Sequence, residues 1–216
     1  ALQGIDESIN YLCNPLNKVS THFLISSLGE IYNLVNLNNR AWHAGNSYWD
    51  GDIDINSLSI GIELDYFPSY KNKFSNKMIN SLNNLLSKLI KKYRIRYSNI
   101  LGHSDIAPYR KIDPGNKFPW RKLILKNNLL ITSKKNKFLN KSLINKWLNK
   151  KIKSKKKRVI FMLAYIGYDV EPSIYSNKKF KILISAYQMR YNQRNIKGNV
   201  DQETFNLIIK HYINKI

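Results

Sequence analysis

The hydrophobic period of the chain changes between residues 59 and 93, and few folds can accommodate that change. Ser59 to Tyr66 alternates, with Ile60, Ile62 and Leu64 on one face and Gly61, Glu63 and Asp65 on the other, as a strand does. From Ser75 to Tyr93 the apolar residues Met78, Ile79, Leu82, Leu85, Leu86, Leu89 and Ile90 recur at helical spacing, with Ser75 placed as the N-cap. A half-buried strand followed at once by an amphipathic helix calls for a helix laid on a sheet. The fold class expected is α/β, a mixed sheet flanked by helices.

Upstream, Val19 to Ile25 and Glu30 to Val35 read as the two strands of a hairpin turning around Gly29. Downstream, Ile100 to His103 reads as a short strand ending in a loop. The stretch from Lys134 to Arg158 is lysine-dense and free of Pro and Gly, and no acid occurs between Asp113 and Asp169. Its middle, Ser142 to Asn149, reads as a short helix with Leu143, Trp147 and Leu148 facing inward. Beyond it, Val159–Ile166, Phe180–Tyr191 and Gln202–Ile213 read as three helices, the last capped by Asp201. The divisions expected are a first domain over 1–130, a basic linker with a short helix over 131–155, and a small all-α module over 156–216.

Charge is less informative than it first looks. The 36 Lys+Arg against 14 Asp+Glu give a formal net charge of +22, yet only 8 of the 36 are Arg, and Asn is as common as Lys at 28 each. Both abundant types have A/T-rich codons, so codon bias explains the lysines as well as an anionic partner does. No nucleic-acid module or basic–aromatic interleaving is present, so no specific nucleic acid is expected as a partner. One cysteine, Cys13, excludes an internal disulfide and a multi-cysteine zinc site. No apolar run is long enough to span a bilayer.

Two segments carry polar residues that a core does not need. One is Trp42-His43-Ala44-Gly45 followed by the strand bearing Glu63; the other runs from Gly102-His103-Ser104-Asp105 to Lys111-Ile112-Asp113-Pro114-Gly115. The loop between His103 and Asp113 can bring the imidazole and the carboxylate together, and both are good zinc ligands. Lys111 is close enough in sequence to serve the same place. Glu63, if buried on its strand, would have the raised pKa of a general base. The plainer readings are a loop histidine, an Asp-Pro-Gly turn and a solvent-facing strand glutamate.

At these residues the sequence resembles the zinc-dependent N-acetylmuramoyl-L-alanine amidases of the type-2 amidase fold. The matching strings are VSTHFLI, WHAG, SIGIELDY, GHSDIAPYRKIDPG and FPW, in the family's order, across residues 19–120. Ala186 to Tyr191 with Gly198 to Thr204 is similar to a helical peptidoglycan-binding module. The resemblance implies Zn2+ as cofactor, His103 and Asp113 as metal ligands, Glu63 as general base and Lys111 as the cation for the oxyanion. It implies substrate-binding positions at His43, His22 and Trp42, with structural packing as the other reading of the two histidines. It also implies a third ligand, a His on a strand ahead of Ala1, which this sequence does not contain.

The implied reaction is hydrolysis of the amide between N-acetylmuramic acid and L-alanine in peptidoglycan or muropeptides. A catalytically impaired peptidoglycan-binding protein is the alternative, because that first ligand is absent. The partner is peptidoglycan, the chain a monomer, and membrane attachment would come only from a missing lipid anchor. The cell envelope is the expected location, with the cytoplasm as alternative. His211, late in the last helix, reads as a favourable helix-end charge. Trp42, Trp49 and Trp120 read either as groove stacking platforms or as core.

Overall fold

The computed structural model describes residues 4–66, 73–127 and 141–215. In chain order its elements are α1 (Ile5–Cys13), β1 (Phe23–Ile25), β2 (Ile31–Asn33), α2 (Ile55–Leu58), β3 (Ile62–Leu64) and α3 (Asn76–Tyr93). There follow α4 (His103–Ile106), α5 (Trp120–Asn127), α6 (Lys141–Lys151), α7 (Lys155–Ile166), α8 (Glu171–Tyr175), α9 (Asn177–Tyr191) and α10 (Gln202–Lys215). The described residues gather into two compact units. The first draws on Ala1–Ser47, Asp54–Ile100 and Lys117–Leu129, and the second on Tyr48–Ile53, Leu101–Asn116 and Leu130–Ile216.

The first unit is the mixed α/β layer that the change of period implies. Its sheet has the order β2-β1-β3, with β1 antiparallel to β2 and parallel to β3. The strands are three residues each; Leu34 N–H to His22 C=O continues the β1–β2 pairing by one bond, while further upstream Ser20 N–H donates to Trp42 C=O. The hairpin turns where Gly29 N–H donates to Ser26 C=O, at a φ of +88° that favours glycine. Along β1, Phe23, Leu24 and Ile25 are all buried.

Helix α3 covers the sheet as its spacing predicts. Ser75 Oγ accepts from Met78 N–H at 3.1 Å, and Met78, Ile79, Leu82, Leu85, Leu86 and Leu89 are buried. Each such side chain contributes about 1.5–3 kcal/mol by leaving water. Phe118, Trp120 and Leu123 complete this core, so Trp120 is a packing residue and not a stacking platform.

The second unit is built on α7, α9 and α10, where Met162, Leu163, Leu183, Ile184, Tyr187, Ile208 and Ile209 are fully buried. The last helix begins as expected, while α7 and α9 begin at Lys155 and Asn177, ahead of the expected Val159 and Phe180. Ser154, Ser176 and Asp201 accept from the amides of Lys157, Lys179 and Thr204. A fourth short helix, α8, was not foreseen. In α6 only Leu148 faces inward: Leu143 and Trp147, expected inside, are 62% and 53% exposed. The i, i+4 spacing defined a stripe, but the neighbouring helices cover the face beside it. Lys155 to Arg158, the end of the lysine-dense stretch, forms the first turn of α7. The linker's first residues, 131–140, lie outside the described residues. Trp49 is also core, its ring 5.1 Å from that of Tyr168.

The strand expected at Ile100–His103 is corrected: His103 opens the one-turn helix α4. His211 is corrected too. It is buried in α10 beside Tyr191, and Nδ1 has no hydrogen-bond partner among the described residues. Burial, with Arg190 and Lys215 nearby, pushes its pKa down to about 3, so it carries no helix-end charge at neutral pH. In the unfolded chain the ordinary value is about 6.5. The unfolded state therefore takes the proton first, and the associated stability is intact above about pH 6.5 and lost as pH falls toward 3. Urea unfolding at pH 7.5 and 4.5 should show that loss in the wild type and a smaller one in His211→Phe. Equal losses would clear His211 of responsibility.

Candidate active site

The residues singled out from the sequence fall into two sets, one in each unit. In the second unit, α4 and the following loop bring His103 and Asp113 together, with Nδ1 and Oδ2 3.0 Å apart. The His103 side chain is 15% exposed and that of Asp113 55%, so the pair opens to solvent on the carboxylate side. Arg110 Nη2 lies 3.3 Å from His103 Nε2. A guanidinium can only donate, which makes Nε2 the acceptor and leaves the proton on Nδ1 for Asp113. Partial burial raises the Asp113 carboxyl, but the hydrogen bond and charge of His103, with Lys111 nearby, outweigh it and hold the pKa below the usual carboxylate range. Lys111 is half-buried, its amide donating to Ala107 C=O at 2.9 Å.

The backbone ties these donors together. Ser104 N–H donates to Asp113 C=O at 2.8 Å, so the residue after His103 grips the peptide of Asp113. Ala107 N–H donates to His103 C=O at 2.9 Å, closing the single turn of α4. Two ligands of one tetrahedral zinc sit about 3.3 Å apart, close to the separation of His103 and Asp113. A metal there would displace the proton on Nδ1, after which an imidazole nitrogen and a carboxylate oxygen stand at the spacing of two zinc ligands. Among the described residues, no group of three His, Cys, Asp or Glu side chains could hold a metal ion.

In the first unit, β3 presents Glu63 opposite Leu24. Glu63 is exposed, which corrects the expectation of a buried carboxylate: β3 is only lightly covered on that face. Two residues earlier, the ring of His43 lies against Gly61 so closely that a Cβ there would come within 2.4 Å of its Cγ. Alternation along the strand puts that contact on the face to which Glu63 points. Asn56 fixes the loop, its Oδ1 accepting from the amides of His43 and Ala44. Trp42 is 56% exposed, with the Arg40 guanidinium 5.2 Å from its ring centre.

His22 is not where a groove residue would be. It is 2% exposed, Nδ1 accepts from Gly61 N–H at 3.0 Å, and Nε2 lies 3.1 Å from Asn39 C=O. Both nitrogens are spent on tying the β1 end to β3 and the Asn39 loop. That is the packing reading of His22, in place of groove lining, and it leaves the ring no lone pair for a metal.

Sequence reasoning missed Asp105, Tyr168 and Arg190. The Asp105 side chain is 1% exposed, paired with Arg190 Nη1 at 2.6 Å, and it accepts from Tyr168 Oη at 2.7 Å. A signal was available: Arg190 stands between Met189 and Tyr191 on the helix face that Ala186 and Tyr187 share, in a chain that otherwise prefers lysine.

The profile of one family, Amidase_2, N-acetylmuramoyl-L-alanine amidase, matches residues 3–116. The chain belongs to that family. As an amidase it has relatives in two lines. It is 31% identical over 201 residues to N-acetylmuramoyl-L-alanine amidase AmiD of Escherichia coli K12, covering 87% of this chain and 71% of AmiD. It is 43% identical over 108 residues to 1,6-anhydro-N-acetylmuramyl-L-alanine amidase AmpD of Haemophilus influenzae, covering 50% of this chain and 58% of that one. Of the AmpD sequences, then, this amidase spans just over half the length.

Among solved structures it resembles E. coli AmiD bound to anhydro-N-acetylmuramic acid-L-Ala-D-gamma-Glu-L-Lys. The TM-score is 0.76 and the identity 28%, over 95% of this chain and 83% of AmiD. AmpDh3 of Pseudomonas aeruginosa with anhydromuramic pentapeptide gives a TM-score of 0.76 at 26% identity, over 95% and 86%. The mixed sheet flanked by helices is the fold these amidases share with it.

Proposed function

We propose that the protein is a zinc-dependent amidase that cleaves the bond between the lactyl group of N-acetylmuramic acid and L-alanine. The observation that carries this reading is the His103–Asp113 pair at 3.0 Å, held by the backbone of α4, in a chain of the amidase family. His103 and Asp113 would hold the metal, which when bound supplies a positive charge that polarises the amide carbonyl and acidifies water. Glu63, exposed on β3, takes a proton from the attacking water and returns it to the leaving amine of L-alanine. Lys111 offsets the charge that develops on the carbonyl oxygen. Trp42 offers an exposed ring for the sugar or peptide, and the His43 imidazole borders the same face as Glu63.

The helices after residue 155 are read as a peptidoglycan-binding module, which would place the protein in the cell envelope as a monomer on its substrate. No helix among the described residues is long and apolar enough to cross a membrane. The lack of a three-donor group among them favours a second reading, a wall binder with weak metal affinity.

One experiment separates the two. Incubation with zinc and a purified muropeptide should release free L-Ala-peptide; a chelator should stop the release and added zinc restore it. Sacculi should sediment the protein in either case. Sedimentation without release at saturating zinc would sink the amidase reading, and release that survives the chelator would sink its metal dependence.

A further inference from the structure

We propose that Tyr168 and Arg190 are positioning residues for the His103–Asp113 pair, acting through the carboxylate of Asp105; this rests on the amidase reading of that pair. A four-residue helix such as α4 cannot sustain itself, because one turn gains too few hydrogen bonds to offset the ordering of its backbone. Its N-terminal amides also need acceptors. Asp105 supplies one: Oδ2 accepts from Gly102 N–H at 2.8 Å, reaching back over the first turn that His103 opens.

That carboxylate is itself held from far along the chain. Arg190 Nη1 donates to Oδ2 at 2.6 Å across 85 residues, and Tyr168 Oη donates to Oδ1 at 2.7 Å across 63. Asp105 is fully buried, so neither oxygen has water to fall back on. Arg190 is also buried, which disfavours its charge, but Asp105 with Tyr191 and Tyr168 more than compensates and its pKa lies above the ordinary arginine value.

The connection onward is short. Asp105 fixes Gly102, Gly102 precedes His103, and Ser104 N–H holds Asp113 C=O. Both candidate metal donors therefore hang on one turn of helix whose shape is set by α9 and by the residue two past the end of α7. On this view the C-terminal helices do more than bind wall polymer: they set the imidazole and carboxylate at their working separation.

Tyr168→Phe and Arg190→Lys test this in the full chain, since the first removes one hydroxyl and the second keeps the charge but not the fork geometry. Ile208→Ala, a core truncation in α10, serves as the comparison for general loosening. Amide hydrogen exchange without metal should speed up tenfold or more at Gly102 and Ser104 in both variants, relative to the rest of the unit. Ile208→Ala should raise exchange across the unit without singling out those amides. In competition with a chromophoric chelator, zinc affinity should fall at least tenfold in the two variants and stay near wild type in Ile208→Ala.

Ser104 protection unchanged in both variants, or the same local pattern in Ile208→Ala, would overturn the proposal. Failure of the amidase reading would appear separately, as wild-type protein that leaves a muropeptide intact.

Discussion

Replacing Glu63 by glutamine is expected to lower kcat for muropeptide hydrolysis by about 10²–10⁴-fold, the usual scale of general acid–base assistance. The register of β3 against β1 fixes the backbone of this residue, and its side chain is open to water. Glutamine keeps the length, the planar end and an acceptor oxygen, but it cannot take a proton. KM should change little, since the lost interaction is made while the water is being deprotonated and not when substrate binds. The acid limb of the pH–rate profile, where a carboxylate base becomes protonated, should also disappear. Retention of kcat within about threefold would assign the proton to another group.

The largest effect on stability is expected from Arg190→Leu. In the wild type the guanidinium and the Asp105 carboxylate are 5% and 1% exposed. Leucine would leave the carboxylate inside the protein with Tyr168 and Gly102 as donors but no cation. Breaking such a pair from one side typically costs about 3–5 kcal/mol. In a chain of this size that corresponds to a fall in Tm of about 10 °C. The double variant Asp105→Leu with Arg190→Leu should recover part of the loss, because it leaves no charge uncompensated, although it forfeits the cap on α4. Scanning calorimetry of the three proteins measures this, and a double variant as unstable as the sum of its singles would show that the two residues do not act as a pair.

The parts of the fold that were legible in the sequence are those where a local pattern and its tertiary use coincide. The helical stripe of α3 describes a single buried face, alternation over Ser59–Tyr66 describes a half-buried one, and Ser75 and Asp201 announce helix starts by chemistry confined to three residues. Patterns failed where the deciding partner was remote. Ile100-Leu101-Gly102-His103 has the residue types of a strand, yet a carboxylate fixed by Arg190 winds His103–Ile106 into α4. Leu143 and Trp147 share a stripe that nothing described covers, while Leu148 beside them is fully buried.

The candidate site shows the same division. Spacing within one loop was enough to bring His103 to Asp113, and the surrounding motif named Lys111 and Glu63. The burial of His22 depends on Gly61 and Asn39, which no local motif links to it. The donor and acceptor that hold its two nitrogens come from separate segments. Alternation gives Glu63 a side and says nothing of what lies over that side.

The contact between Gly61 and His43 leaves position 61 an alphabet of one letter. Its φ is not in the region reserved for glycine, so backbone freedom is not the reason. The reason is volume: the space a methyl group would need is already filled by carbon atoms of the imidazole, the nearest at 2.4 Å. A residue with no chemistry of its own thus holds an aromatic ring flush against the strand that carries the proposed base, and does so by being empty.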